Sequence, residues 1–488
     1  MKTSLVVIAV VLLAGCSSQP ASTPASQQPN AASTTISVTS KSPEAVAHFQ
    51  KGEALLDNLR TEEAAEEFSQ ALKLDPDFVL ARAYHGLATP GPDGLKEIES
   101  AKEAAGGLPE AERALIEGFA AERRGDFANA KAAYTRVTEL IPGDWHGHFA
   151  LGQRLLGDEK YAEAVQALKK ATDLNPNAGG AQNMLGYAAL RQLDTEGAIA
   201  AFTEYARILP QEPNPQDSLG EALLAAGRFK ESEAAFQKAL ELSPQFWNAH
   251  EGIAYARFYN GDWAGGRDAL AKAKSAATRR VDKISVDDVM AAAAVAQQNT
   301  AAALRVLDAS EKTDGAQASE IAFIPVRRAM ALVAGGRARD ALAPIETALK
   351  KADGGELPPG FSRNLRRAAL RVRIAAEAQM ADAAAAETTS AALDQEASSR
   401  PDDPAAQTAM HYAKGQLAMA RADIAGARAH FDQCSAADEM CKWQGVVAAE
   451  KAGDTAAAAA ARDRLLKIYG RDPVHLIVRS RLAPPRTT

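Results

Sequence analysis

Two cysteines near the C-terminal end of the chain are the first residues whose type could support chemistry. Cys434 and Cys441 lie seven residues apart, at the expected end of one helix and the expected start of the next. They could form a structural disulfide, remain free thiols or act as a redox pair, although the Cys-X-X-Cys spacing of redox pairs is absent. In an exported protein a disulfide is favoured. Closing so short a loop stabilises a fold by only about 2–3 kcal/mol.

The histidines offer a second candidate chemistry, which is metal binding. Among the eight histidines, the closest set is Trp145-His146-Gly147-His148. A metal site needs ligands at helical spacing with a third group nearby, whereas two residues at i and i+2 point to different sides of a helix. We therefore favour a helix start that places one histidine in the core. The sequence contains no phosphate-binding glycine loop, paired zinc-binding histidines or nucleophile elbow, so we predict no catalytic residue, metal or cofactor.

The N-terminus has the parts of an export signal. A positive start, Met1-Lys2, precedes the apolar run Leu5–Leu13, which is too short to span a bilayer. The following Leu13-Ala14-Gly15-Cys16 resembles the lipobox of bacterial lipoproteins. The resemblance implies cleavage after residue 15 and acylation of Cys16. An ordinary secretory signal with a chance cysteine is the alternative.

The residues after Cys16 extend this interpretation. Ser17 and Ser18 follow the cysteine, and in Gram-negative lipoproteins the absence of Asp there implies sorting to the outer membrane, at its periplasmic face. The stretch to about Pro43 contains Ser, Thr, Ala, Gln and Pro with little apolar bulk. Such a segment cannot bury enough surface to fold, so we predict a flexible tether over residues 16–43.

Composition separates the remaining possibilities. The 488-residue chain is 24% charged and 47% hydrophobic, with only 6% aromatic residues and a formal charge of −7. Removal of Lys2 with the signal leaves 54 basic against 62 acidic residues. This balance argues against a nucleic-acid partner, which requires a basic face. No stretch after Cys16 is long and apolar enough to cross a membrane.

A period of 34 residues then organises the first half of the chain, most clearly over residues 177–244. Three features recur: a small residue, a large residue 16 positions later, and a proline that ends the second helix. The small positions are Gly52, Gly86, Gly118, Gly152, Gly186, Gly220 and Ala254. The large positions are Phe68, Tyr134, Leu168, Phe202, Phe236 and Leu270, and the prolines are Pro76, Pro142, Pro176, Pro210 and Pro244.

This pattern resembles the tetratricopeptide repeat, over seven units from Glu44 to about Ala277. The resemblance implies an all-α fold, an α-solenoid of stacked antiparallel helix pairs. The family's large residue at the fourth position is absent and is replaced mostly by His or Gln. The second unit is irregular, because Thr89-Pro90-Gly91-Pro92-Asp93-Gly94 interrupts it and predicts a distorted loop.

In this family the second, fifth, ninth, twelfth and thirteenth positions of the first helix line a concave groove. The resemblance assigns these positions to Phe149, Gln153, Asn183, Tyr187, Asp217, Glu221, Asn248, Tyr255, Phe258 and Tyr259. Aromatic and amide side chains in a groove can hold an extended peptide or a partner helix. Phe258 could instead pack against the next helix. Family members that bind a C-terminal carboxylate use basic residues that are absent here, and Asp217 and Glu221 would repel that group.

After Thr278 the repeat decays while the helical character persists, so residues 278–488 are predicted to form degenerate helical repeats. The expected helices are Val281–Gln298, Thr300–Lys312, Ile321–Ala334, Arg339–Lys351, Arg363–Met380 and Ala383–Ser399. The tail Pro473–Leu482 contains an apolar run and is expected to cap the exposed end of the solenoid.

These features together predict a lipid-anchored scaffold of the bacterial cell envelope that binds a partner protein or peptide in its groove. The sequence leaves the oligomeric state open. The alternative is an envelope enzyme or a glycan-handling factor, with a polar cleft in residues 278–488.

Overall fold

The computed structural model describes residues 35–58, 60–312, 317–435 and 438–482. Within these ranges the regular secondary structure is entirely helical, and the helices follow one another in repeated pairs. The predicted all-α solenoid is therefore confirmed. The signal peptide, Cys16 and the tether as far as residue 34 lie outside the described residues.

Seven helix pairs make up the first half. Their bounds are α1 (Pro43–Asp57), α2 (Thr61–Leu74), α3 (Val79–Ala88), α4 (Gly91–Ala104), α5 (Glu110–Arg124), α6 (Phe127–Leu140), α7 (Trp145–Gly157), α8 (Tyr161–Leu174), α9 (Gly179–Arg191), α10 (Thr195–Ile208), α11 (Pro213–Ala225), α12 (Phe229–Leu242), α13 (Trp247–Tyr259) and α14 (Trp263–Ala276). We call the surface formed by the first helix of each pair the inner surface.

The second half continues the stack with longer and less regular helices. Their bounds are α15 (Arg280–Ala296), α16 (Thr300–Glu311), α17 (Ala318–Ile321), α18 (Ile324–Ala334), α19 (Ala338–Asp353), α20 (Pro359–Gln379), α21 (Ala383–Ser399), α22 (Pro404–Ala420), α23 (Ile424–Phe431), α24 (Glu439–Lys451), α25 (Thr455–Leu466) and α26 (Pro473–Leu482).

In several of the pairs, an aromatic ring of one helix lies on a glycine of the facing helix. A Cβ added at Gly220 would lie 2.7 Å from the Phe236 ring, and one at Gly252 would lie 2.4 Å from the same ring. Phe236 is fully buried between these two glycines. Gly415 and Phe431 repeat the arrangement in the second half, at 2.4 Å. The helices approach closely because the glycine leaves room for the ring, and close packing of this kind tolerates little added volume.

The second helix of many pairs begins with an aspartate cap. The carboxylate of Asp194 accepts a hydrogen bond from Gly197 N at 2.9 Å, and Asp262 accepts one from Gly265 N at 2.8 Å. Asp423 repeats the bond in the second half, at 2.9 Å from Gly426 N. Such a side chain satisfies a backbone donor that the first turn leaves unpaired. The turns between paired helices are therefore short and sharply defined.

The prediction of a distorted loop in the second unit is wrong. α3 ends at Ala88 and α4 begins at Gly91, so that only Thr89 and Pro90 connect them. Gly91 takes a φ of +77°, which glycine adopts without strain. A Cβ at Gly94 would lie 2.0 Å from the carbonyl oxygen of Thr89. The glycines that suggested a loop instead permit the tight turn and the close approach of the two helices.

Part of the predicted tether is docked. Residues 35–42 form no helix and lie against the start of α5 and the turns that precede α3 and α7. Thr39 Oγ1 donates to the buried Glu112 carboxylate at 2.6 Å, and Ile36 N donates to Asp144 at 2.8 Å. The prediction of a flexible tether up to residue 43 is therefore wrong for these eight residues, because buried carboxylates from three successive units supply the hydrogen-bond partners, the third being Asp75.

The tail helix α26 makes more contacts than a cap on the last helix pair requires. It packs against α15, α24 and α25, and Arg481 donates to the carbonyl oxygen of Ala334 at 2.7 Å. α26 therefore covers apolar residues of the last helix pair, as a cap would, and it also extends back to α15. The chain turns back after α25, so that the buried Leu476 joins the core cluster that includes Val286 and Val289 of α15, while Val478 packs against α24 and α25.

We predict that Gly220→Ala destabilises the solenoid by about 1–3 kcal/mol, because the added methyl group meets the Phe236 ring. Urea unfolding followed by circular dichroism measures the change. The control is Gly106→Ala, where a Cβ has no neighbour within 4 Å. Equal stability of the two variants would contradict the role assigned to the glycine.

Candidate functional site on the inner surface

The predicted groove residues of the fifth to seventh pairs do lie together, and they form a strongly acidic surface. We define the acidic groove as Asp217, Glu221 and Glu251 with the neighbouring Asn183 and Tyr187. Tyr187 Oη donates to Glu221 at 3.3 Å, and Ser218 Oγ donates to Asn183 Oδ1 at 3.4 Å. These bonds link α9 to α11 along the inner surface.

The chain's own C-terminal segment occupies this groove. Arg471 Nη1 lies 2.9 Å from Asp217 Oδ2, and Arg471 Nη2 lies 3.0 Å from Glu251 Oε2. The Nη2 atom also donates to the carbonyl oxygen of Asn248 at 3.0 Å, and the guanidinium stands 5.6 Å from the Phe236 ring centre. The arginine side chain is only 10% exposed. An interior ion pair of this kind needs such hydrogen bonds to offset its desolvation.

Aromatic rings hold the two residues before Arg471. Tyr259 Oη donates to the carbonyl oxygen of Gly470 at 2.5 Å. The Tyr469 ring meets Tyr259 and Phe229 edge to face, with centroids 5.3 and 4.9 Å away. Arg479 of α26 covers the other side of Tyr469, at 4.2 Å from its centre. The segment is thus fixed by backbone, aromatic and charged contacts.

The prediction of an open groove at these positions is therefore wrong. Tyr255 is fully buried and Tyr259 is 6% exposed, so neither ring is available to a partner in this structure. Phe258 is buried as well, where its ring lies 5.0 Å from Trp263 and fills the space over Gly266. Phe258 therefore follows the alternative interpretation, as part of the core between helices.

In the earlier units, α1 contacts the start of α7. His146 Nε2 lies 3.2 Å from Glu53 of α1, and His146 Nδ1 lies 2.9 Å from Asp144. Burial lowers the pKa of His146, but the hydrogen bonds to the two carboxylates raise it to about 10. Phe149 is half-buried beside Trp145, and Gln153 is exposed. The first pair thus contacts the fourth across the inner surface.

The histidine pair does not meet at a common site. His148 Nε2 contacts the carbonyl oxygen of Pro142 at 3.1 Å, away from His146. The described residues contain no cluster of three or more His, Cys, Asp or Glu side chains arranged to hold a metal ion. Asp144 accepts a hydrogen bond from His146 N and caps α7, as a helix start requires.

A largely apolar cavity of about 640 Å³ lies in the second half, between α18, α20, α22, α24 and α26. We call it the apolar cavity. Each of the five helices contributes an apolar side chain, namely Val333, Val372, Met419, Val447 and Ile477. Met330, Met440 and Trp443 widen the apolar wall. Its volume falls within the range of ligand pockets, about 300–1,000 Å³.

One end of the apolar cavity is polar. Arg371 Nη2 lies 2.7 Å from Asp438 Oδ2, and its guanidinium stands 4.7 Å from the Tyr412 ring centre. Burial raises the pKa of Tyr412 to about 12. Near this end a disulfide joins Cys434 to Cys441, so that α24 is tied to the segment after α23. The disulfide therefore fixes one wall of the cavity.

Burial also shifts the pKa values of acidic side chains on the inner surface. It raises the pKa of Asp217 and of Glu221, and Arg471 opposes both shifts. Burial raises the pKa of Asp288 on α15 to about 7, although Arg327 lies 2.7 Å away. For Arg471, burial lowers the pKa, but Asp217 and Glu251 raise it above its usual value. The nearby arginines therefore do not fully offset the rise in carboxylate pKa that burial causes.

Sequence reasoning missed two of the decisive residues. Glu251 occupies the fifth position of its unit, the same position as Asp217, so the family pattern contained the signal for it. Arg471 carries no such signal, since it lies outside the repeats and 254 residues from Asp217. Its role follows only from the fold.

The helix pairs and the inner surface define an α-solenoid that carries tetratricopeptide repeats. Family models described as tetratricopeptide repeat match residues 45–78, 149–213 and 216–246. No curated protein gives a significant match to the sequence. Within the described residues, none of the helices has the length and apolar character needed to cross a bilayer.

Several solved structures are similar to part of the chain. A crystal structure of MamA protein is 22% identical, with a TM-score of 0.32, covering 34% of this chain and 91% of that one. A MamA structure from Desulfovibrio magneticus RS-1 is 19% identical, with a TM-score of 0.32 and coverages of 34% and 94%. The structure of YrrB, described as a TPR protein with an unusual peptide-binding site, is 20% identical, with a TM-score of 0.31 and coverages of 39% and 94%.

We predict that Asp288→Asn flattens the pH dependence of stability. The pKa of Asp288 is about 7 in the fold against an ordinary value of 3.8, so the folded state binds an extra proton between these pH values. Its contribution is present below pH 4 and is lost as the pH rises through 7. From pH 5 to pH 8 the wild type should lose about 3 kcal/mol of unfolding free energy relative to the variant.

Urea unfolding at both pH values measures this difference. The control is Asp77→Asn, since Asp77 is 83% exposed and should behave alike at both pH values. Parallel profiles for wild type and Asp288→Asn would contradict the prediction.

Proposed function

We propose that this protein is a binding scaffold of the bacterial cell envelope, held by an acylated Cys16 at the periplasmic face of the outer membrane, and that its partner is an envelope protein. The partner inserts apolar side chains into the apolar cavity. The observation that carries the proposal is this cavity, which is open and largely apolar, whereas the chain's own residues 35–42 and Arg471 occupy other parts of the inner surface.

The composition of the apolar cavity supports a protein partner. Aliphatic and thioether side chains line most of the wall, and Met side chains adapt to partners of varied shape. The Arg371–Asp438 pair at one end offers donors and acceptors to a backbone or polar side chain. Stacked helical repeats present extended concave surfaces of the kind that proteins bind. A few apolar anchors flanked by polar contacts suit such a surface.

The contacts favour a binding role over catalysis. Three carboxylates line the cavity, and each has a structural partner. Asp438 pairs with Arg371, Glu439 lies 2.5 Å from His475 Nδ1, and Asp472 accepts a hydrogen bond from Val474 N at 2.7 Å. Asp438 also caps α24 through Cys441 N, at 2.9 Å. A general acid or base needs a reactive group free to reach a substrate. These carboxylates are already occupied by helix capping and ion pairing.

Site-specific photo-crosslinking in intact cells tests the partner site. A photoreactive residue at position 447 should trap one defined envelope protein, and the same residue at position 281 should not. Val447→Asp should reduce capture of that protein at least tenfold, because a charge at an apolar contact costs binding energy. Val281→Asp is the matched control, since Val281 is 46% exposed and outside the cavity. Identical capture at both positions would contradict the proposal.

The anchor has its own test. Cys16→Ala removes the acylation site, so the variant should move from the membrane fraction to the soluble periplasmic fraction. Radiolabelled palmitate should label the wild type and not the variant. Membrane association that persists in the variant would count against the acylated anchor while leaving the partner site untouched.

A further inference from the structure

We propose that the acidic groove is a receptor for an arginine presented by an extended segment, and that a partner carrying the order aromatic, glycine, arginine can replace the chain's own Tyr469-Gly470-Arg471. This site is separate from the apolar cavity, so the inference stands independently of the proposed function.

The first argument is the specificity of the contacts around Arg471. Two carboxylates, a backbone carbonyl and an aromatic ring surround one guanidinium. A guanidinium presents several donors in a fixed plane, so Asp217 and Glu251 can each take a different nitrogen. A lysine carries its three donors on one nitrogen, so it cannot place two separate nitrogens against Asp217 and Glu251 as Arg471 does. The groove therefore selects arginine over other cations.

The second argument is an excess of acceptors. The buried carboxylates of Asp217 and Glu251 both contact a single arginine, and the half-buried Glu221 adds a third negative charge nearby. Asp217 Oδ1 and the hydroxyl of Tyr255 have no hydrogen-bond partner among the described residues. Burying a polar atom without a partner costs about 1–3 kcal/mol. A segment that brings a further donor beside its arginine would bind more favourably than the chain's own segment does.

The third argument is access. The segment Ile468–Asp472 lies between α25 and α26 and belongs to neither helix. It forms one wall of an open cavity of about 1390 Å³. The opposite wall includes Tyr187 and Glu221 of the acidic groove. A second extended chain can therefore approach the receptor carboxylates from this cavity.

Fluorescence anisotropy with a labelled peptide tests the inference. The probe is the eight-residue sequence Lys467–Val474, and its control has alanine in place of the arginine. The receptor is the full chain with Tyr469→Ala and Arg471→Ala, which removes the two anchors of the resident segment. We expect this variant to bind the probe at least tenfold more tightly than the wild type does, because the wild-type segment competes at high effective concentration.

Two further comparisons decide the role of the arginine. The alanine control peptide should bind the variant at least tenfold more weakly than the probe. Adding Asp217→Asn to the variant should weaken probe binding to a similar degree, whereas adding Val447→Asp should leave it unchanged. Circular dichroism confirms that each variant is folded. If the double variant does not fold, Arg471→Lys serves as the receptor, and it should bind the probe more tightly than the wild type.

Equal binding of the arginine and alanine peptides to a folded receptor would overturn the inference, as would failure of the probe to bind either receptor. Failure of partner capture at residue 447 would leave these results untouched. The two sites are therefore tested independently.

Discussion

The buried ion pairs of Arg471 with Asp217 and Glu251 are the interaction on which the functional geometry depends. They join residues 254 and 220 positions apart, and they turn the chain back after α25. α26 follows directly and supplies Ile477 to the apolar cavity. Loss of Arg471 would leave carboxylates buried without a counter-charge, a defect that costs about 3–5 kcal/mol in known cases. Arg471 lies two residues before α26, so the contact fixes the point at which that helix begins.

The inner surface is consequently divided into three regions with different chemistry. Residues 35–42 and the Glu53–His146 contact fill the first units. The acidic groove follows, and it is occupied by an arginine that another segment could replace. The apolar cavity in the second half is open, and a second open cavity of about 1390 Å³ borders the acidic groove. A scaffold of this kind can offer two separate sites of opposite character, one selecting charge and the other selecting apolar side chains.

Much of the fold could be predicted because its determinants are local and periodic. The glycine and aromatic residue of each pair are 16 positions apart, so one repeat contains the whole contact, as Gly220 and Phe236 show. The groove positions were also predictable, and the same rule would have identified Glu251. The failures occurred where that rule does not apply. Thr89–Gly94 was predicted to be a loop because glycine and proline mark turns, yet here they permit close packing.

The sequence by itself determined the helix pairs, their register and the residues that face inward, because each of these follows from contacts within one repeat or between neighbours. The tertiary structure alone decided what covers the inward-facing residues. His146 meets Glu53, and Arg471 meets Asp217, only after several repeats have stacked and brought distant units together. Such contacts have no period and no fixed spacing. Which residues cover the groove therefore depends on how the whole solenoid stacks and curves.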